Sequence, residues 1–516
     1  MDSRISSKLS RFELFFLIVS SVLIMTLVTT SSPIYPFNVW DDTNVYFTLG
    51  RGILKGFVPY KDLYEQKGPL FLFLYAISAL ISNRTFTGLW IIECIFASIF
   101  AVFSWKSVKL FITDIPKLAI GMVPVLLSAV YTIGMFNFGG GAEEICFPLL
   151  SVVLYTALKT IRSGNNLPDK KDAFVCGIIA GFIFWSKYTL LGFVLSFIVL
   201  LIIKSIRIKA FKSLMLDALW FLLGVLFVSL PVFIYFGANG SLGDLYESYF
   251  YNNIFRYHNQ FEYSGIFANP VFRFFAIPFL SFWFTMKDDP IYLILWLITL
   301  LGLICFDRKY KKEIIIMTLF SLIVCLCTIF TNAIYIYYYG YPLCFYFIFA
   351  LYAAVAAIKV CRVTLRDHVK VIDIITVIVT FFLVFNLLIR CKNYYLLSMK
   401  KEDMAQFKFA QIINQTEDPK IFTYDIIDGG FYLAASVDPS NRFFTTMNFI
   451  ENNTDAVEEQ ERLIREGYFD FIITIDNYDW DNYELVATSD DLCIDYSKME
   501  YSFRYYLYQR TPANAW

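Results

Sequence analysis

Apolar residues in this chain run rather than alternate. From about residue 12 to about residue 390, stretches of roughly 15–22 residues recur, each near the length a helix needs to cross a ~30 Å hydrocarbon core. The pattern predicts a polytopic α-helical membrane protein. Between the runs lie short polar segments rich in Lys and Arg, such as Lys106/Lys109/Lys117, Lys204/Arg207/Lys209/Lys212 and Arg308/Lys309/Lys311/Lys312. Cytoplasmic loops carry the Lys/Arg excess, so these segments belong on one side.

That condition tests the span count. If 69–82 crossed, Lys106–Lys117 would fall outside, and if 269–286 crossed, Arg308–Lys312 would do so. Both runs are short or interrupted, and both read as segments lying along or dipping into the outer interface, which backbone tolerates when helical or covered. The remaining runs are 12–30, 87–105, 118–136, 146–161, 173–187, 189–203, 215–236, 291–306, 314–330, 341–358 and 371–389. They give about eleven transmembrane helices, with the N-terminus cytoplasmic and the C-terminus extracytoplasmic. Residues 12–30 also fit a signal-peptide core, but the many later spans favour a retained first helix. Residues 1–390 form the membrane part, and segments 31–86, 137–145 and 237–290 share its outer face.

After Arg390 the pattern changes. "KIFTYD", "FDFIITID" and "YYLYQR" have the periodicity of short strands, and "AVEEQERLIREGYF" that of a helix with Asn453 or Thr454 as its cap. Residues 391–516 are expected to form a small extracytoplasmic α/β domain.

Composition agrees. The chain is 516 residues long, 58% hydrophobic, with mean hydropathy +0.58, against ~45–50% apolar in soluble proteins. A net charge of −1 gives no basic excess for nucleic acid. The 10 cysteines are scattered without a CxxC pair, and there are only 2 histidines, so neither a disulfide framework nor a zinc site is expected.

Polar chemistry concentrates in the first outer segment. "WDDTNVYFTLGRGILKGFVPYKDLYEQKGPL" holds Asp41, Asp42, Arg51, Lys55, Tyr60, Asp62, Glu65 and Lys67. "NFGGGAEEICFP" adds Glu143 and Glu144 on the same side. Carboxylates beside a membrane are functional-site candidates by default. Plainer readings exist for each group. Asp41/Asp42 and Glu143/Glu144 suit helix N-termini, and Lys67 suits an interfacial snorkelling lysine. His258 fits a hydrogen-bonded loop residue, and Tyr338 and Tyr339 fit an aromatic interface belt. Together, though, acids and fixed cations at an outer lipid surface fit transfer of a sugar from a lipid-phosphate carrier. The phosphate is already a good leaving group and calls for cations, which Lys67 and Arg51 supply. The acceptor hydroxyl calls for one base, and one carboxylate suffices. Glu143 or Glu144 then stabilises positive charge developing on the sugar.

The same stretch resembles the first outer loop of the GT-C membrane glycosyltransferases, especially bacterial relatives of protein O-mannosyltransferases and aminoarabinose transferases. The matching residues are Asp42 (or Asp41), Gly56 through Asp62 as "GFVPYKD", and Lys67-Gly68-Pro69, followed by Ala142-Glu143-Glu144 and Pro148. The resemblance implies a GT-C fold, an outward-facing site, a polyprenyl-phosphate sugar donor, the first-loop acid as base and Lys67 beside the donor phosphate. It also implies a multi-pass protein of a bacterial plasma membrane. The chain departs from the pattern in having Asp41-Asp42 for Asp-Glu, Ala142 for Thr, and "YIYYYGYP" where "HY" is sometimes found. Tyr60, Asp62, His258, Tyr338 and Tyr339 are candidate substrate contacts. Divalent metal use varies in that superfamily, so no cofactor is assigned and a divalent ion stays open. The acceptor is a glycan, lipid or protein hydroxyl. The competing readings are a transporter or flippase of a lipid-linked glycan and a non-catalytic assembly protein. Transporters bind at the midplane between paired repeats, and neither feature is legible here.

Overall fold

The computed structural model describes residues 8–134, 136–164, 166–256, 264–288, 290–329, 342–446, 454–492 and 502–511. Membrane-length helices dominate. They are α1 (Arg11–Val28), α4 (Thr87–Phe111), α6 (Ala142–Arg162), α7 (Lys170–Lys187), α8 (Gly192–Ile208), α9 (Phe211–Ala238), α13 (Arg308–Ile329), α14 (Ile348–Thr364) and α15 (Val369–Leu388). Other helices lie between them: α2 (Asp41–Leu54), α3 (Pro69–Ile81), α5 (Met122–Tyr131), α10 (Leu242–Leu245), α11 (Pro270–Asp288), whose 19 residues are interrupted by Pro278, and α12 (Ile291–Ile304). The protein is a multi-pass membrane protein.

Among the described residues eight helical stretches are long and apolar enough to cross, against about eleven expected. The difference has two causes. The runs at 118–136 and 291–306 form shorter helices, Lys117–Tyr131 and Ile291–Ile304. The runs at 173–187 and 189–203 share one apolar stretch of 39 residues, Lys170–Ile208. That stretch is nevertheless two passes. Lys187 at the end of α7 pairs with Glu143 at the start of α6. Lys204 in α8 instead donates to the carbonyls of Thr160, in the last turn of α6, and Asn166, just beyond it, at 2.9 and 3.0 Å. A helix of 21 residues separates its ends by about 30 Å, so the chain reverses at the turn Tyr188–Leu191. As expected, α3 is too short to cross, with 13 residues spanning about 20 Å.

The basic segments gather at one end of the bundle. Ser10 and Glu13 cap α1 reciprocally, and Glu13 also accepts from Trp105 and Lys109 of α4. Arg162 reaches the carbonyl of Leu110, Lys359 that of Thr113, and Arg362 pairs with Asp373 at 2.5 Å. The other end carries α2, α3, the loop 136–141 and the C-terminal segment.

That segment holds the expected strands β1 (Ile421–Thr423), β2 (Phe471–Thr474) and β4 (Ser502–Arg510), together with β3 (Tyr483–Leu492). They form one sheet in the order β1-β2-β4-β3, with β1 parallel to β2 and the remaining pairs antiparallel. The expected helix is α18 (Thr454–Arg465), and Asn453 lies outside the described residues. Helices α16 (Ala405–Ile413) and α17 (Phe431–Ala435) complete it. The sheet and these helices share one hydrophobic core with α2 and α3, in which Tyr46, Phe47 and Phe71 lie with Phe409, Phe431 and Phe471.

Polar anchors reinforce this docking. Asp428 is fully buried, accepts from the amides of Gly430 and Phe431 at 2.9 Å, and takes the Thr48 hydroxyl of α2 at 3.1 Å. Burial pushes its carboxyl up to about 6 from the ordinary 3.8, against the opposing pull of those donors. A folded value above the unfolded one means that ionisation opposes folding. The contribution of Asp428 is therefore fully present below about pH 4 and lost as the pH rises through about 6. Across that window the wild-type Tm is expected to fall, and Asp428→Asn is expected to flatten that fall. Parallel Tm profiles for the two proteins would refute this assignment.

Candidate active site

Helix α2 starts at Asp41 with both acids in its first turn, where the helix dipole favours negative charge. Consecutive helical residues point about 100° apart, and this turn uses the divergence. Asp42 faces the Tyr46 hydroxyl one helical turn on, and it also acts electrostatically on Glu65 and Lys187. Asp41 faces the C-terminal segment, where its Oδ1 lies beside Gly429.

Lys67 reaches the same place from the loop before α3. Its Nζ stands 5.5 Å from the centre of the Tyr46 ring. Burial, with the Asp42 and Glu65 carboxylates nearby, pushes the Tyr46 phenol well above its ordinary value, so it stays a neutral donor. Burial also raises the carboxyl of fully buried Glu65, while Lys67 and the amides of Gln66 and Lys67 pull it down.

The second acidic motif divides in the same way. Glu143 pairs with Lys187 at the end of α7, and both are largely buried. Glu144 caps its own helix through the Gly141 amide at 3.4 Å and turns towards Glu93 of α4, buried as deeply as itself. Gly139 and Gly140, at φ +82° and +85°, allow the loop before α6 to fold back over this pair. A Cβ on Gly139 would lie 2.0 Å from Thr29 Oγ1 and 2.6 Å from Glu93 Oε1.

One glycine brings the two lysines together. The Gly68 amide donates to the Ser186 carbonyl at 3.1 Å, and a Cβ there would sit 2.1 Å from the Trp185 carbonyl oxygen. The "KGP" turn therefore lies directly on the end of α7, so that Lys67 and Lys187 act on one another and both act on Glu143. The π-helical coil Tyr246–Arg256 clamps this turn from the third expected outer segment. Asn253 donates to the Gln66 carbonyl at 2.8 Å, and Asn252 to the Tyr64 hydroxyl at 3.0 Å. Wide helical turns of this kind often occur at functional sites.

The structure thus gathers Asp42, Tyr46, Glu65, Lys67, Glu143 and Lys187. Other sequence candidates are placed elsewhere. Arg51 is buried against the C-terminal segment, donating to the Tyr432 carbonyl at 3.2 Å with Asp438 at 3.8 Å. Tyr60, at φ 70°, donates to the Lys67 carbonyl at 2.6 Å and so shapes the lysine's loop. Asp62 closes a turn by accepting from the Val58 amide at 2.7 Å. His258, Tyr338 and Tyr339 lie outside the described residues. The sequence alone does not single out Lys187 or Tyr46. The signal for Lys187 was a lone cation closing an apolar run, "FIFWSK". Among the described residues no group of three or more His, Cys, Asp or Glu is arranged to hold a metal ion.

No family model and no curated protein matches this sequence. Solved structures match it in three dimensions. The crystal structure of ArnT from Cupriavidus metallidurans bound to undecaprenyl phosphate superposes with a TM-score of 0.59 at 11% identity, covering 96% of this chain and 98% of that one. The same protein in the apo state gives 0.61 at 11% identity, with 96% and 97% covered. At that identity the likeness speaks to the fold: this chain has the GT-C fold of ArnT, as its first-loop motif implies.

Proposed function

We propose that the protein is an integral membrane glycosyltransferase that moves a sugar from a polyprenyl-phosphate donor to an acceptor hydroxyl. The observation that carries this reading is the convergence of two lysines and three carboxylates where the "KGP" turn meets the end of α7. In the proposed step Asp42 takes the proton from the acceptor hydroxyl. The oxygen attacks the anomeric carbon from the face opposite the phosphate, so configuration inverts. The bond from carbon to phosphate oxygen breaks, and polyprenyl phosphate leaves with the electron pair. Lys67 and Lys187 hold the charge that grows on the phosphate. Glu143, fixed by Lys187, supplies negative potential for the positive charge developing on the sugar. Arg51 belongs in this scheme to the docking of the C-terminal segment.

The GT-C fold shared with a protein solved with undecaprenyl phosphate supports a lipid-linked donor. The distribution of charge supports the orientation: the end rich in Lys and Arg is cytoplasmic, and the site faces the other side. The C-terminal segment, 391–516, is then extracytoplasmic. The polar cluster lies at one end of the bundle rather than at its midplane, which favours transfer over transport.

The test uses protein purified into lipid with a panel of polyprenyl-phosphate sugars and an envelope extract as acceptor. Consumption of one donor, with its sugar appearing on the acceptor fraction, is the expected result. Donor that crosses the bilayer chemically unchanged would replace the transferase with a flippase.

A further inference from the structure

The C-terminal segment holds a cavity of about 410 Å³. That size falls in the ~300–1,000 Å³ range of small-molecule sites. Two stretches of chain line it: 414–420, which follows α16, and 435–440, which follows α17. Four of its polar side chains have no protein partner. Asn414, Asp418 and Ser436 are exposed and make no side-chain hydrogen bond or ion pair among the described residues. The Ser440 hydroxyl is buried and has no hydrogen-bond partner there either, although buried hydroxyls normally find one. The remaining charged groups are engaged. Asp438 pairs with Lys55, with Arg51 at 3.8 Å, and Lys420 Nζ lies 4.1 Å from the centre of the Tyr468 ring. Asp418 and Ser436 also hold left-handed backbone, at φ 47° and 58°. Ser436 directly follows α17, a position that glycine normally takes. The fold thus keeps a strained serine whose hydroxyl it does not use, and such residues concentrate at binding sites.

We propose that this cavity binds a neutral saccharide and serves as a remote subsite for a glycan acceptor. The unpaired groups decide the class. Asp418 only accepts, whereas the two serine hydroxyls and the Asn414 amide both donate and accept. Sugar hydroxyls also do both and satisfy all four. A phosphate or carboxylate would meet the charges of Asp418 and Asp438. A simple ammonium would serve the acceptors and leave the donors unmatched, and an acyl chain would leave all four unmatched. Pro419, Val437 and Pro439 supply the complement, an apolar surface for the C–H face of a pyranose ring. Position decides the role. Asp438, on the cavity wall, pairs with Lys55 just past the end of α2, and Asp42 lies in the first turn of the same helix. From Asp42 to Lys55 that helix runs about 20 Å. A sugar bound here therefore lies several units along the acceptor from the reacting hydroxyl. The inference rests on the transferase reading for this role, while the binding it specifies is measurable without turnover.

The experiment measures, by ligand-observed NMR, binding of methyl glycosides of neutral hexoses to the full-length protein in lipid. Glycerol phosphate is the anionic control and ethanolamine the cationic one. Wild type is expected to bind at least one glycoside and to prefer it to both controls. Ser436→Gly deletes one hydroxyl and relieves the left-handed backbone, so binding should weaken about tenfold while Tm does not fall. Asp418→Asn tolerates the same backbone and removes only the charge. It should weaken glycoside binding and lessen the discrimination against glycerol phosphate. Undecaprenyl phosphate affinity should stay within twofold in both variants, which separates this cavity from the Lys67 site. No glycoside binding in wild type, equal binding in wild type and both variants, or tighter binding of either control would overturn the saccharide site. In turnover the two variants should raise the acceptor KM and leave kcat intact, and an unchanged acceptor KM would overturn the role in holding the acceptor. If glycosides bind as described but no donor is ever consumed, the transferase reading fails and the saccharide site stands.

Discussion

Asp42→Asn is expected to abolish sugar transfer and to leave the protein folded in the membrane. The replacement keeps the shape of the side chain and its ability to accept from Tyr46, so α2 keeps its first turn. It removes the capacity to take a proton. A positioned general base contributes about 10²–10⁴-fold, and loss on that scale is the expected reading of kcat. The neighbouring change, Asp41→Asn, separates two roles. With Asp42 as the base, Asp41→Asn leaves kcat largely intact. Turnover is to be followed as donor loss under saturating acceptor, with Tm as the control for folding. Wild-type turnover in Asp42→Asn, together with collapse in Asp41→Asn, would transfer the role to Asp41.

The two consecutive acids show how far sequence reading reaches. The hydrophobic runs are legible because each must satisfy its own backbone in lipid, and that leaves a run long enough to see. The first-loop motif is legible because its polar residues interrupt an otherwise apolar region. The division of labour between Asp41 and Asp42 is not, because it depends on what packs on either side of α2. One side faces Lys187, more than 140 residues on, and the other faces Gly429, nearly 390 residues on. Arg51 illustrates the same limit. By charge it suits a phosphate, yet its partners lie in a segment that the chain reaches only after crossing the membrane many times. Strand β3, "YELVATSDDL", has too much polar character to read as a strand by itself and is organised by pairing with β4. The span count differs for a related reason. Hydropathy alone does not say whether "SKYTLLG" continues a helix or reverses it; the reading of two spans, 173–187 and 189–203, agrees with the neighbours of Lys187 and Lys204.

The lysines are expected to fail in distinguishable ways. Lys67→Ala removes a cation from a partly exposed loop whose shape is set by Tyr60, Gly68 and Asn253. Folding should survive, the donor KM should rise, and the acceptor KM should not change. Lys187→Ala goes deeper. It leaves Glu143 buried without its partner, and breaking a buried pair from one side costs about 3–5 kcal/mol. This variant should therefore lose both stability and turnover. Lys187→Met combined with Glu143→Gln removes the unpaired charge and fills the space, so Tm should recover. Turnover should not recover, because a phosphate leaving group that loses one preorganised cation slows by about 10²–10³-fold. If the double variant regains both Tm and turnover, the pair is a structural bridge between α6 and α7, and the phosphate is held by Lys67 without it.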